Sequence, residues 1–151
     1  MPYLVLAFAI GCAIPLQAAI NSQLKGHLAQ STILAALVSF TVGTLALALV
    51  ALATGQRMGA LGNVTQAPAW QLTGGLLGAL FVFGTTLLAP QIGVARMTAL
   101  ILAGQVLVSI LMDSGGWLGL PVRELTPTRI AGALLVVAGV VLVNYEQLFR
   151  K

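Results

Sequence analysis

The sequence predicts an all-α integral membrane protein with five transmembrane helices. Apolar residues fill 59% of the 151 positions, and the mean hydropathy is +1.03. Charged residues make up only 7%, where an average globular chain carries roughly 25%. So few charges cannot build a solvated surface, which excludes a water-soluble enzyme and a disordered tail. The seven Lys and Arg against three Asp and Glu leave a net charge of +4. Those cations are scattered, with no basic stripe to follow a phosphate backbone, so nucleic acid is excluded as a partner. Membrane lipid is the expected surrounding.

A hydrocarbon core of about 30 Å needs about 20 apolar residues per helix, and five runs meet that need. They are 3–23, 32–54, 70–89, 92–112 and 128–145, in a single membrane domain covering 1–151. The first could be mistaken for a signal peptide but lacks the positively charged start. Ala9-Ile10-Gly11-Cys12 bears a faint likeness to a lipoprotein cleavage site, with Ala9 where leucine is usual and no basic residue before it. Cys12 is the single cysteine, so there is no disulfide framework. Between the second and third runs, Gly62, Pro68 and Trp70 mark an interfacial connection, since aromatic residues collect at the bilayer surface. Ala89-Pro90-Gln91-Ile92-Gly93 reads as a tight break before the fourth run. Arg96 lies one turn inside that run, close enough to an end to reach the headgroups. Thr126-Pro127 reads as an N-cap followed by proline at the first helical position. Tyr145, Phe149, Arg150 and Lys151 form an aromatic and basic anchor at the far end.

Orientation follows Lys and Arg in short loops. Five spans place Arg57, Arg123 and Arg129 on the side of the N-terminus, and Lys25, Arg96, Arg150 and Lys151 on the other. Three against four barely selects an orientation. Either one orientation is set by a weak signal, or copies insert both ways and form an antiparallel dimer.

Polar residues inside the spans are the candidate functional groups. Pro15 at the centre of the first span deprives the Gly11 carbonyl of its helical partner, and a bare carbonyl at that depth must face protein or a wet cavity. Gln17 and Asn21 share one face at i and i+4. They serve either as interhelical glue or as the lining of a substrate path, and the sequence leaves both open. On the fourth span, Thr98, Gln105 and Ser109 fall within about 40° of one another on a helical wheel, and Asp113 extends the stripe. Gly104 beside Gln105 permits a close approach by a ligand or a neighbouring backbone. Arg96 lies off that stripe, which favours a headgroup anchor or subunit contact over a cavity ligand. Asp113 is the only carboxylate near a span. It is either an ionisable group retained for coupling or the start of the polar stretch Asp113-Ser114-Gly115-Gly116 that ends the helix in water. Arg96 and Asp113 are roughly 25 Å apart along one helix and cannot pair within it, but would lie at similar depth in two antiparallel copies. Gly74 and Gly78 form a small-residue pair on the third span. Ala131, Gly132, Ala138 and Gly139 give the fifth a seam suited to close helix packing, within one subunit or between two.

No metal cluster, nucleophile triad or phosphate loop can be assembled from these residues. No cofactor and no enzymatic activity are expected.

Pro15-Leu16-Gln17 with Asn21, Ser39-Phe40 with Gly43, Pro68-Ala69-Trp70 with Gly74-Gly75, Gly104-Gln105, Asp113, and Arg129 with Gly132 occur in an order that resembles one group. It is the YdcZ-like five-helix inner-membrane family of bacteria, within the drug/metabolite transporter superfamily. The resemblance spans nearly the whole chain and implies half of an inverted-repeat ten-helix transporter, completed by an antiparallel homodimer around a midplane site. The small multidrug resistance proteins are similar, but use a first-helix glutamate for proton exchange; here that helix carries Gln17 and Asn21 and no carboxylate. The resemblance implies a bacterial inner-membrane transporter, and together with the polar faces of the first and fourth spans it gives the expected function: alternating-access transport of a small polar solute, bound by Gln17, Asn21, Thr98, Gln105 and Ser109. Asp113, Arg96, Pro15 and Gly11 are candidates for coupling or gating. A heterodimer with a paralogue, a passive channel and a non-transporting membrane assembly protein are the alternatives.

Overall fold

The computed structural model describes residues 2–146 and contains only helices and their connections among them. Five α-helices follow one another: α1 Pro2–Leu24, α2 Thr32–Ala53, α3 Thr73–Ile92, α4 Val94–Gly115 and α5 Pro127–Val143. With their adjoining 3-10 turns, the first four give apolar helices of membrane-spanning length, Pro2–His27, Thr32–Ala53, Ala69–Ile92 and Val94–Gly115. The fifth is apolar but has 17 residues, at the lower edge of what crosses a bilayer. Phe149, Arg150 and Lys151, read from the sequence as a terminal anchor, lie outside the described residues.

The chain divides into two units, residues 1–91 and 92–151. In the first, α1 runs through Pro15 without interruption; a proline removes one helical hydrogen bond, yet its φ near −65° suits the helix. A 3-10 turn, Lys25–His27, and a left-handed pair, Ala29 and Gln30, lead to α2. Ser31 caps α2, its hydroxyl accepting from the Leu34 amide. The connection to α3 is not an open loop. Its 3-10 stretch Met58–Gln66 exposes Leu61 and Val64, and Trp70 in the next short turn is also exposed. Apolar and aromatic side chains displayed by a connection suit a bilayer interface.

The break before α4 falls later than the sequence suggested. Pro90 lies inside α3, which continues to Ile92, and the interruption is Gly93. Proline keeps a helical φ, whereas Gly93 takes φ 83°, ψ 147°, a conformation close to a region only glycine occupies readily.

In the second unit, α4 extends past Asp113 to Gly115 and is closed by Gly116 in the left-handed conformation, whose amide donates to the Met112 carbonyl. Thr126 caps α5 by accepting from the Arg129 amide, with Pro127 at the first helical position. The α5 helix stops at Val143, where Asn144 leaves the helical conformation and donates its side-chain amide to Val140 O at 2.8 Å.

Candidate functional site

In the first unit the polar residues of α1 meet α2. Asn21 is 4% exposed, and its Nδ2 donates to Ser39 Oγ at 3.2 Å. A buried amide left without a partner costs about 1–3 kcal/mol, so this bond fixes Asn21 and ties α1 to α2. Gln17, one turn earlier, is exposed on a single copy and makes no side-chain hydrogen bond among the described residues. It borders a cavity of about 200 Å³ lined also by Ser39, Phe40, Gly43, Thr44, Leu47 and Val82. Gln17 and Asn21, equivalent on the helical face, thus do different things: one joins two helices and the other faces open space.

The cavity wall depends on a missing side chain. The Phe40 ring lies against Gly78 of α3, where an added Cβ would sit 3.5 Å from Phe40 Cζ. Of the Gly74 and Gly78 pair, only Gly78 is met this closely; a Cβ at Gly74 would meet nothing within 4 Å. Further along α3, Thr85 and Thr86 are buried; Thr85 donates to the Val82 carbonyl at 3.2 Å. The Thr86 hydroxyl is enclosed without a hydrogen-bond partner among the described residues.

The stripe on α4 is similarly mixed. Gly104, Gln105, Val108, Ser109 and Met112 line an open groove of about 370 Å³. Gln105 and Ser109 are exposed on a single copy, and an added Cβ at Gly104 would touch nothing within 4 Å. The Ser109 hydroxyl donates to the Val106 carbonyl at 2.9 Å, so it can only accept from a ligand. Thr98 is not among the groove's lining residues, and its hydroxyl is enclosed without a hydrogen-bond partner among the described residues. Gln105 makes no side-chain hydrogen bond among the described residues. Counting along α4 at 1.5 Å per residue places Gln105 about 16 Å from its start, near mid-span.

Sequence reasoning left Asp113 without a partner in its own chain. The structure supplies one: Arg129, in the first turn of α5, forms an ion pair with the Asp113 carboxylate. Arg129 also donates to the Glu124 carbonyl at 3.3 Å, and the Arg123 amide donates to the Asp113 carbonyl at 2.9 Å. Asp113 therefore neither ends α4 nor stands alone in water; it organises the connection that returns the chain to α5. Arg129 was visible as a loop cation, but no spacing rule pairs residues across an irregular loop. Arg96 sits in the first turn of α4. Pro15 and Gly11 lie within α1, and a Cβ at Gly11 would meet nothing within 4 Å.

The described residues contain no group of His, Cys, Asp and Glu able to hold a metal ion. The arrangement offers amides, hydroxyls and apolar walls, groups suited to hydrogen-bonding a polar solute rather than to covalent chemistry.

A family described as "Putative inner membrane exporter, YdcZ" matches residues 2–142. The Inner membrane protein YdcZ of Escherichia coli (strain K12) is 32% identical over 141 residues, which cover 93% of this chain and 94% of that protein. No solved structure matches the chain.

Proposed function

The chain belongs to the YdcZ inner-membrane family, and from that premise we propose that it exports a small polar solute by alternating access as an antiparallel homodimer. One observation carries the reading: both units display an amide within an apolar span, Gln17 on α1 and Gln105 on α4, with neither hydrogen-bonded among the described residues. Leaving such groups against hydrocarbon costs several kcal/mol each. A second copy covers them and leaves a polar path between the copies. The almost even division of Lys and Arg supports opposite insertion of the two.

In this reading Gln17, Gln105 and Ser109 of both copies line the path, Thr98 joins it only where α4 turns its enclosed hydroxyl towards the path during the cycle, and Asn21 holds Ser39 in place. Pro15 and Gly11 give α1 a point at which to bend, and the Asp113–Arg129 pair braces the α4–α5 end. Arg96 serves as an anchor or subunit contact, beside Asp113 of the other copy.

Cysteine placed at Gln17 or Gln105, in a background with Cys12→Ser, tests the cycle with an impermeant thiol reagent applied to one side at a time. Alternating access predicts labelling from both sides, with a cross-link that closes one end of the path slowing labelling from that end and speeding it from the other. A cross-link that slows labelling from its own end and leaves the other rate unchanged would indicate a channel, and labelling from neither side would remove the through-path.

A further inference from the structure

Hydroxyls in apolar helices ordinarily bond to a carbonyl one turn back, which satisfies their proton without a neighbour. This chain follows the habit widely: Thr41 donates to Leu37 O, Thr54 to Val50 O, Thr85 to Val82 O, Ser109 to Val106 O and Ser114 to Leu111 O. Ser39 and Thr44, on α2, do not. Both line the cavity that Gln17 borders. Ser39 Oγ accepts from Asn21, and with an acceptor site filled its own proton is the group left to offer.

We propose that the cavity lined by Gln17, Ser39, Phe40, Thr44, Leu47 and Val82 of one copy is a solute-binding site, selecting small neutral molecules that pair a hydrogen-bond-accepting group with a short apolar body. The claim rests on the transporter reading only for its purpose; the binding stands on the cavity itself. The volume of about 200 Å³ lies below the roughly 300–1,000 Å³ of pockets for drug-sized ligands, which sets the size. None of the lining residues is charged. A bare cation or anion there would lie about 10–22 Å along α2 from its start, deep in the hydrocarbon layer and without a counter-charge, which is strongly unfavourable. Phe40, held against Gly78, with Leu47 and Val82, supplies the apolar wall. Gln17 and the Ser39 and Thr44 hydroxyls supply the polar end. Asn21, already bonded to Ser39, is a positioning residue that sets the direction of the Ser39 proton.

Fluorine NMR on the full chain carrying 4-fluorophenylalanine tests this in detergent, with the Phe40 resonance identified by its loss in Phe40→Leu. Hexanamide should shift that resonance saturably. Hexylammonium and hexanoate, matched in length but charged, should bind at least about tenfold more weakly, given the cost of an unpaired charge. Ser39→Ala should weaken hexanamide about three- to tenfold, as expected for one hydrogen bond, and Thr44→Val, which keeps its shape, should weaken it by a similar factor. Asn21→Ala should weaken hexanamide while leaving the charged probes unchanged.

A Phe40 shift insensitive to Ser39→Ala and Thr44→Val, or equal at Phe8, would reduce the effect to partition into detergent and overturn the site. Stronger binding of hexylammonium or hexanoate would overturn the neutral class. Because the measurement needs no transport, saturable hexanamide binding without alternating cysteine labelling would leave this site standing and remove the transport cycle. The reverse result would remove this site alone.

Discussion

Asp113 and Arg129 show how a single residue changes meaning when its partner is found. Their side chains are 27% and 33% exposed respectively, so water screens the pair, and such pairs are typically worth up to about 1 kcal/mol. Its role is geometric: together with the Arg129 bond to the Glu124 carbonyl and the Arg123 amide on the Asp113 carbonyl, it defines the α4–α5 connection. A double-mutant cycle of Asp113→Asn and Arg129→Gln, read by thermal unfolding in detergent, should give a coupling of about 0.5–1 kcal/mol. A coupling near zero would show that the pair does not brace the turn. At the same scale, Asn21 and Gln17 were indistinguishable in the sequence, because a helical wheel gives direction but not what lies opposite. The Asn21–Ser39 bond crosses 18 positions, and Ser39 carries no local mark of being its partner.

Elements were more legible than residues, and the reason is that apolar length and caps are local signals. Thr126-Pro127 states its role in two letters, and α5 begins there with the threonine cap. The α3–α4 junction is the instructive exception. Proline draws the eye as a helix breaker, but Pro90 stays helical and Gly93 makes the break, because a break needs a residue able to leave the helical region of φ and ψ. Gly93→Ala should therefore destabilise the fold by about 1–3 kcal/mol, seen as a lower unfolding temperature. Pro90→Ala should cost little or raise it, since alanine restores a helical donor. A harmless Gly93→Ala would contradict the assignment of the break. The end of α5 was less legible: Asn144 closes the helix with its own side chain, whereas the apolar run alone continues to Tyr145.

The cavity beside Gln17 draws on α1, α2 and α3, and it was not readable from the sequence because no spacing within one helix encodes a space between three. The whole molecule is where composition spoke first and most plainly. Ten charged residues in 151 place the chain in lipid, and family membership places it in the inner membrane. Exposed amides on both units, Gln17 and Gln105, are the ground for the proposed antiparallel homodimer, in which a second copy inserted the opposite way would cover them.

Opposite insertion is the claim on which the proposed transport cycle depends, and a single cysteine measures it. With Cys12→Ser and Gln66→Cys, the reporter sits in the exposed α2–α3 connection, and intact spheroplasts are labelled with an impermeant maleimide before and after permeabilisation. The nearly balanced loop charges predict that about half of the chains react before permeabilisation and the remainder only after it. Reaction of essentially all chains in one condition alone would fix a single orientation and contradict the antiparallel homodimer.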